Sequence, residues 1–296
     1  MENIIIGKTQ TLTVKRAVDF GIYLGTENSE ETVLLPKKQV PSDTKIGDRL
    51  SVFVYRDSED RPIATVNKPA AEAGMFAYLP VTGITKVGAF LSWGLEKDLF
   101  LPFKEQEGTV SKGDNVPVFI YLDKSERLAA TMKLYDHLSP ADENVREEDA
   151  FAGYVYRVQR EIGAFTAVIP AAYDGTDSLY PAYDKLYFGL IPKSQVFKNY
   201  RSGEKVSGRI VRVRNDRKLD LSVRARDYAQ LDADGEKILA KIDEYGGTLP
   251  FSEKASPEII KRELEMSKNG FKKALGHLLK AGKIEIGETE VRKITS

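Results

Sequence analysis

The chain has 296 residues, too many for one small barrel and enough for two to four modest domains. Apolar residues make up 42% and charged residues 30%, and no apolar run approaches the roughly 20 residues of a membrane span. With no cysteine there is neither a disulfide nor a thiolate site, and the composition is that of a cytoplasmic globular protein with no membrane association.

The first unit opens on Val18-Asp19-Phe20-Gly21-Ile22-Tyr23 and reaches Leu35-Pro36. It turns at Gly47-Asp48, runs through Leu50-Ser51-Val52-Phe53-Val54 and closes with Ile63-Ala64-Thr65. The second unit repeats that order: Lys86-Val87-Gly88-Ala89-Phe90, Leu101-Pro102, Gly113-Asp114, Val116-Pro117-Val118-Phe119-Ile120, and Leu128-Ala129-Ala130-Thr131. The third repeats it again: Glu161-Ile162-Gly163-Ala164-Phe165, Ile191-Pro192, Gly203-Glu204, Val206 to Val211, and Leu219-Asp220-Leu221-Ser222. Proline and turn glycine are 11 residues apart in all three. The third unit carries an insertion from Pro170 to Phe188 with Tyr173, Tyr180, Tyr183, Tyr187 and Phe188, which either stack on bases or pack the loop onto a barrel, packing being favoured.

Period-two alternation between glycine turns predicts strands, and five strands in about 65 residues fit a small OB barrel. The repeated glycine fits a strand bend where a missing Cβ lets the chain coil. Three tandem five-stranded barrels are therefore expected, in residues 1–68, 69–138 and 150–228.

Net charge is zero, from 44 basic and 44 acidic residues, so its distribution carries the information. From Lys193 to Arg226 there are eleven Lys or Arg against three acids, whereas Pro140 to Asp149 holds five acids and one Arg. Lys193, Arg209, Arg212, Arg214 and Lys218 are candidates for phosphate contact. Alternation places Arg212 and Arg214 on one side of their strand. The competing reading pairs them with Asp216, Asp220 or acids of another domain on a solvated face.

Phe-Gly-x-aromatic, apolar-Pro, Gly-Asp, apolar strand and a closing Thr or Ser, in that order, resemble the S1 domain of ribosomal protein S1. The resemblance covers roughly residues 1–228 and implies an RNA face of aromatics around the glycine, a His, and an Asp and Arg near the last strand. Phe20 and Tyr23, then Phe90, then Phe165 match the aromatic positions. Val87 and Ile162 replace the aromatic before the glycine, and Pro36, Pro102 and Pro192 replace the His. Asp57 and Arg61, then Asp123 and Arg127, match the charged pair, and Arg214 and Lys218 stand there in the third unit. No copy is complete: the second reads as poorest in stacking groups and the third as most basic. Phe165 either stacks on a base or belongs to the core.

After Asp227 the texture changes. Gly235 to Tyr245 reads as a helix with Ile238, Leu239 and Ile242 on one face, broken by Leu249-Pro250-Phe251. Ser256 caps a second helix with Pro257 at its first position, and Ser267 caps a third carrying Phe271, Ala274, Leu275, Leu278 and Leu279. Gly282 ends it, and the segments 283–286 and 291–294 form a hairpin. Three helices and a hairpin over 229–296 predict an α+β winged helix. Its third helix presents Lys268, Asn269, Lys272, Lys273 and Lys280, and its wing Arg292 and Lys293. Three S1-like units followed by a winged helix resemble the bacterial conserved virulence factor B family. That resemblance implies an RNA-binding regulator of gene expression, with contacts in the third unit and the winged helix.

Catalytic chemistry is not apparent. The only histidines, His137 and His277, lie in different domains, and no metal-ligand spacing, phosphate-binding loop or dinucleotide fingerprint is present. The expectation is a non-catalytic binder of single-stranded RNA without a cofactor. A DNA-binding regulator using the winged helix, and a protein adaptor on an RNA-processing or ribosomal assembly, stand beside it.

Overall fold

The computed structural model describes residues 3–171, 181–193, 199–223 and 227–294, in two compact units, Met1–Val223 and Arg224–Ser296. The first unit holds three closed five-stranded barrels in tandem. Strands β1 (Thr9–Val18), β2 (Gly21–Gly25), β3 (Thr32–Pro36), β4 (Arg49–Arg56) and β5 (Pro62–Thr65) build the first. The second uses β6 (Phe76–Ile84), β7 (Gly88–Leu91), β8 (Leu99–Pro102), β9 (Asn115–Leu122) and β10 (Leu128–Thr131). The third uses β11 (Ala150–Gln159) and β12 (Gly163–Ile169), and after the insertion strand β13 (Ala182–Tyr183) continues with β14 (Tyr187–Pro192), β15 (Lys205–Val213) and β16 (Leu219–Ser222). In each barrel one parallel pair, third strand against fifth, closes an otherwise antiparallel sheet.

The repeated motifs have one structural cause each. Gly21, Gly88 and Gly163 lie directly across from Pro36, Pro102 and Pro192. A Cβ on these glycines would stand 2.2, 2.4 and 2.0 Å from the carbonyl oxygens of Leu35, Leu101 and Ile191, so the two motifs recur together because the strands touch there. The acidic turns close a β-bulge in the first strand of each barrel, after Val14, Val81 and Val155. Gly47, Gly113 and Gly203 donate to the carbonyls of these valines, from φ of +95°, +92° and +89°. The acids stitch the turns: Asp48 accepts from the Lys45 amide at 2.7 Å, Asp114 from Ser111 at 2.7 Å and Glu204 from Arg201 at 3.2 Å. The closing threonines donate back to the short turn that follows the proline of their barrel, Thr65 to Gln39 and Thr131 to Glu105.

The barrels are seamed to one another. Between the first and second, Arg56 pairs with Glu126 and Arg127 donates two hydrogen bonds to the Asp60 carboxylate. Phe53 of β4 joins the core of the second barrel, edge-on to Trp93 at 5.9 Å. Between the second and third lies an aromatic cluster that includes Phe76, Tyr78, Tyr154 and Tyr183. Strand β7 pairs with β6 only from Val81 onward, and β13 fills part of the edge left open by pairing with Phe76 and Ala77. The described end of the insertion, residues 181–188, packs: Tyr183 and Tyr187 are buried, and the Tyr187 hydroxyl donates to Asp142 at 2.6 Å. Tyr173 and Tyr180, with Lys198, Arg224 and Arg226 of the basic run, lie outside the described residues. His137 stacks on Phe119 at 3.8 Å, and burial holds it below its usual range, so at neutral pH it is an uncharged ring.

The second unit contains α1 (Asp227–Glu244), β17 (Thr248–Leu249), α2 (Pro257–Leu264), α3 (Lys268–Lys280), β18 (Ile284–Ile286) and β19 (Val291–Lys293). Both expected caps form, with Ser256 accepting from the Ile259 amide and Ser267 from the Gly270 amide. Three details differ from the sequence reading. The first helix runs through Gly235, where a Cβ would stand 3.1 Å from Leu278, so the glycine admits α3 instead of starting the helix. Thr248–Leu249 is a third strand, paired with β19. Leu279 is exposed, while Phe271, Ala274, Leu275 and Leu278 form the buried side of α3.

Candidate nucleic-acid interface

The hairpin before each closing strand has the same geometry in all three barrels. The amides of Asp57, Asp123 and Arg214 donate to the carbonyls of Arg61, Arg127 and Lys218 at 2.9–3.0 Å, with Asp60, Glu126 and Arg217 at φ of 63°, 58° and 60°. Asp57 and Asp123 shape these turns. Each accepts from two backbone amides, and Asp57 also receives the Arg61 guanidinium at 2.7 Å. Burial works to raise both carboxyls, but these donors outweigh it and hold them below the usual range.

In the first barrel Phe20 is 59% exposed, edge-on to Tyr23 at 6.4 Å, and Arg16 lies 4.1 Å over the Tyr23 ring. Arg61 is tied to Asp57 and Glu59.

The second barrel corrects the reading that it is poorest in stacking groups. Phe90 faces Phe100 across the β7–β8 pair, 5.5 Å between rings. Phe103, just past Pro102, is 50% exposed, and Val87 is 63% exposed. An open groove of about 460 Å³ runs over Phe100, Phe103, Lys104 and Tyr121. The rings of Phe100 and Phe103 come from the apolar-proline segment, outside the positions that flank the glycine. A count limited to the glycine motif therefore misses them. Arg127, in the hairpin before β10, is held by Asp60 of the first barrel.

In the third barrel Phe165 is half-buried beside Tyr156 at 6.2 Å and packs against the aromatic cluster of the seam. Lys193 pairs with Glu161 at 2.7 Å, Arg209 with Glu148 at 2.5 Å, and Arg214 with Asp220. A β-bulge between Ile210 and Arg212 keeps Val213 against the core and turns Arg212 outward, exposed and without a hydrogen bond or ion pair among the described residues. Lys218 lies 4.9 Å over Phe188 and 5.6 Å over Tyr135.

In the second unit Lys268 and Lys273 are exposed and free of ion pairs among the described residues, whereas Lys272 stands 3.6 Å from Glu253. The wing residues are paired, Arg292 with Glu290 and Lys293 with Asp243. Among the described residues no group of acids and histidines is placed to hold a metal ion, and no helix is long and apolar enough to cross a membrane.

Residues 6–67 and 73–133 match the S1 domain, and residues 236–292 match the CvfB-like winged helix domain. The chain is 29% identical over 287 residues to the uncharacterized protein YitL of Bacillus subtilis strain 168, covering 94% of this chain and 90% of that protein. It is 28% identical over 301 residues to conserved virulence factor B of Staphylococcus aureus strain N315, covering 98% and 94%. A crystal structure of a multidomain protein with nucleic acid binding domains from Streptococcus pneumoniae TIGR4 superposes with a TM-score of 0.51 at 24% identity, covering 98% of both chains, which shows a shared fold.

Proposed function

The chain belongs to the conserved virulence factor B family, a set of S1 and winged-helix domains, and from that premise we propose that it binds single-stranded RNA without catalysing a reaction on it. The reading places this activity in the cytoplasm, as a regulator of gene expression. The observation that carries it is the second barrel's groove, where Phe100 and Phe103 offer ring faces beside Lys104. Bases stack on exposed rings irrespective of sequence, and nearby cations follow the phosphates. Exposed Phe20 supplies a further platform on the first barrel, and Arg212 a phosphate contact on the third. Within the winged helix, Lys268 and Lys273 offer exposed cations of their own. The test is equilibrium binding of the full chain to single-stranded RNA, double-stranded RNA and duplex DNA at matched salt. Single-stranded RNA is expected to bind tightest. Preference for duplex DNA would favour a winged-helix DNA regulator, and loss of all binding at physiological salt would favour a protein adaptor.

A further inference from the structure

A cavity of about 350 Å³ lies where the first barrel meets the second, and it is more than a widening of the groove. Its walls are the rings of Tyr55 from β4 and of Phe90, Trp93 and Phe100 from the second barrel. It shares Val87, Phe100, Asp123 and Ala129 with the groove, so a strand stacked along the second barrel reaches its mouth. The volume is in the range of small-ligand sites. Arg56–Glu126, Arg127–Asp60 and the bond from Lys97 to the Asp57 carbonyl at 3.3 Å lock the two barrels around it.

The polar groups in this wall narrow the ligand. Asp98 is fixed by the Thr82 hydroxyl, which donates to Oδ2 at 2.7 Å, and its other oxygen has no partner among the described residues. In the same wall Arg56 keeps a buried Nε–H with no acceptor. An aromatic slot with an open carboxylate oxygen and an unsatisfied donor suits a flat ring that offers N–H donors together with a carbonyl oxygen. Guanine offers N1–H and the N2 amino group side by side, next to O6. Adenine and cytosine present one amino group beside a ring acceptor, and uracil one N–H between two acceptors, so a carboxylate facing them meets a lone pair.

We propose that this cavity is a guanine pocket, in which the base inserts between Tyr55 and the Phe90–Phe100 rings and donates to Asp98. The inference rests on the RNA-binding reading and adds base selectivity at one position to a surface that is otherwise indifferent to sequence. Trp93, the sole tryptophan of the chain, lines the cavity and reports its occupancy by fluorescence.

The experiment titrates the full chain with an oligouridylate and with the same oligomer carrying one central guanosine. The guanosine oligomer is expected to bind at least about tenfold tighter, the low end of a bidentate base contact, and it alone shifts Trp93 emission. Asp98→Asn should keep the oligouridylate affinity and lose the tenfold. Replacing the guanosine by inosine, which lacks the N2 amino group, should give an intermediate affinity with the protein unaltered, so the test does not depend on how the variant folds. Equal binding of both oligomers, a preference that survives Asp98→Asn in a folded protein, or inosine matching guanosine would each overturn the pocket. If oligouridylate binds and guanosine adds nothing, only the pocket fails. If neither oligomer binds, the RNA-binding reading fails and takes the pocket with it.

Discussion

Tyr78 of the second barrel and Tyr154 of the third stack across their seam, with ring centroids 4.3 Å apart and planes 21° from parallel. Their hydroxyls are also engaged, Tyr78 donating to the Gly203 carbonyl at 2.9 Å and Tyr154 lying 3.1 Å from the Tyr183 hydroxyl. The pair ties the two barrels and the insertion into one body. A double-mutant cycle of Tyr78→Ala and Tyr154→Ala, read by urea unfolding, is expected to give a coupling of about 0.5–1.5 kcal/mol beyond the area buried. Additive losses would mean that the rings merely lie near each other.

Phe103 and Phe165 should respond oppositely to truncation. Phe103→Ala removes an exposed ring from the groove and is expected to weaken RNA binding by about 1–3 kcal/mol with little change in Tm. Phe165→Ala opens the aromatic seam cluster and is expected to lower Tm while leaving affinity per folded molecule unchanged. Affinity and Tm measured on both variants decide the matter, and a reversed pattern would restore Phe165 as the stacking residue.

Arg212 and Arg214, two residues apart, differ in pairing: Arg214 holds Asp220, whereas Arg212 has no hydrogen bond or ion pair among the described residues. Arg212→Gln is expected to flatten the log–log salt dependence of single-strand binding by about 0.7, the value of one phosphate contact. Arg214→Gln breaks the pair with Asp220 and should leave that slope as it is. Binding isotherms over a range of salt concentrations separate the two.

The Arg127 hydrogen bonds hold the Asp60 carboxyl below its usual range. Asp60 is therefore ionised and paired above the ordinary carboxylate value of about 3.9, and that stabilisation is lost as pH falls through the lowered folded value. Unfolding midpoints of the wild type and Asp60→Asn should differ by a constant amount from pH 6 to 8. The difference should shrink below about pH 3.9 and vanish under the folded value. A gap that persists in strong acid would place the role of Asp60 outside its charge.

The barrels were legible because each repeated motif marks a backbone constraint. The glycine opposite the proline and the glycine–acid turn on the bulge leave the same trace wherever the fold recurs. The winged helix was legible from its serine caps and the apolar side of α3. The second barrel's groove was not, since Phe100 meets Phe90 across the β7–β8 pair and no linear spacing records a cross-strand neighbour. The seams were hidden for the same reason: Asp60 pairs with Arg127, 67 residues away, and Tyr183 reaches Phe76 from inside an insertion. Among the third unit's cations, composition does not distinguish Arg212, which has no ion pair among the described residues, from Lys193, Arg209 and Arg214, which are paired.

In the proposed mode of binding, RNA lies along the second barrel. Ultraviolet crosslinking of the full chain to a single-stranded RNA oligomer, with the crosslinked peptides identified by mass spectrometry, tests it most directly. The expected crosslinks fall between Val87 and Tyr121, with Phe100 or Phe103 among them. Crosslinks confined to the third barrel and residues 227–294, with none on the second barrel, would contradict it.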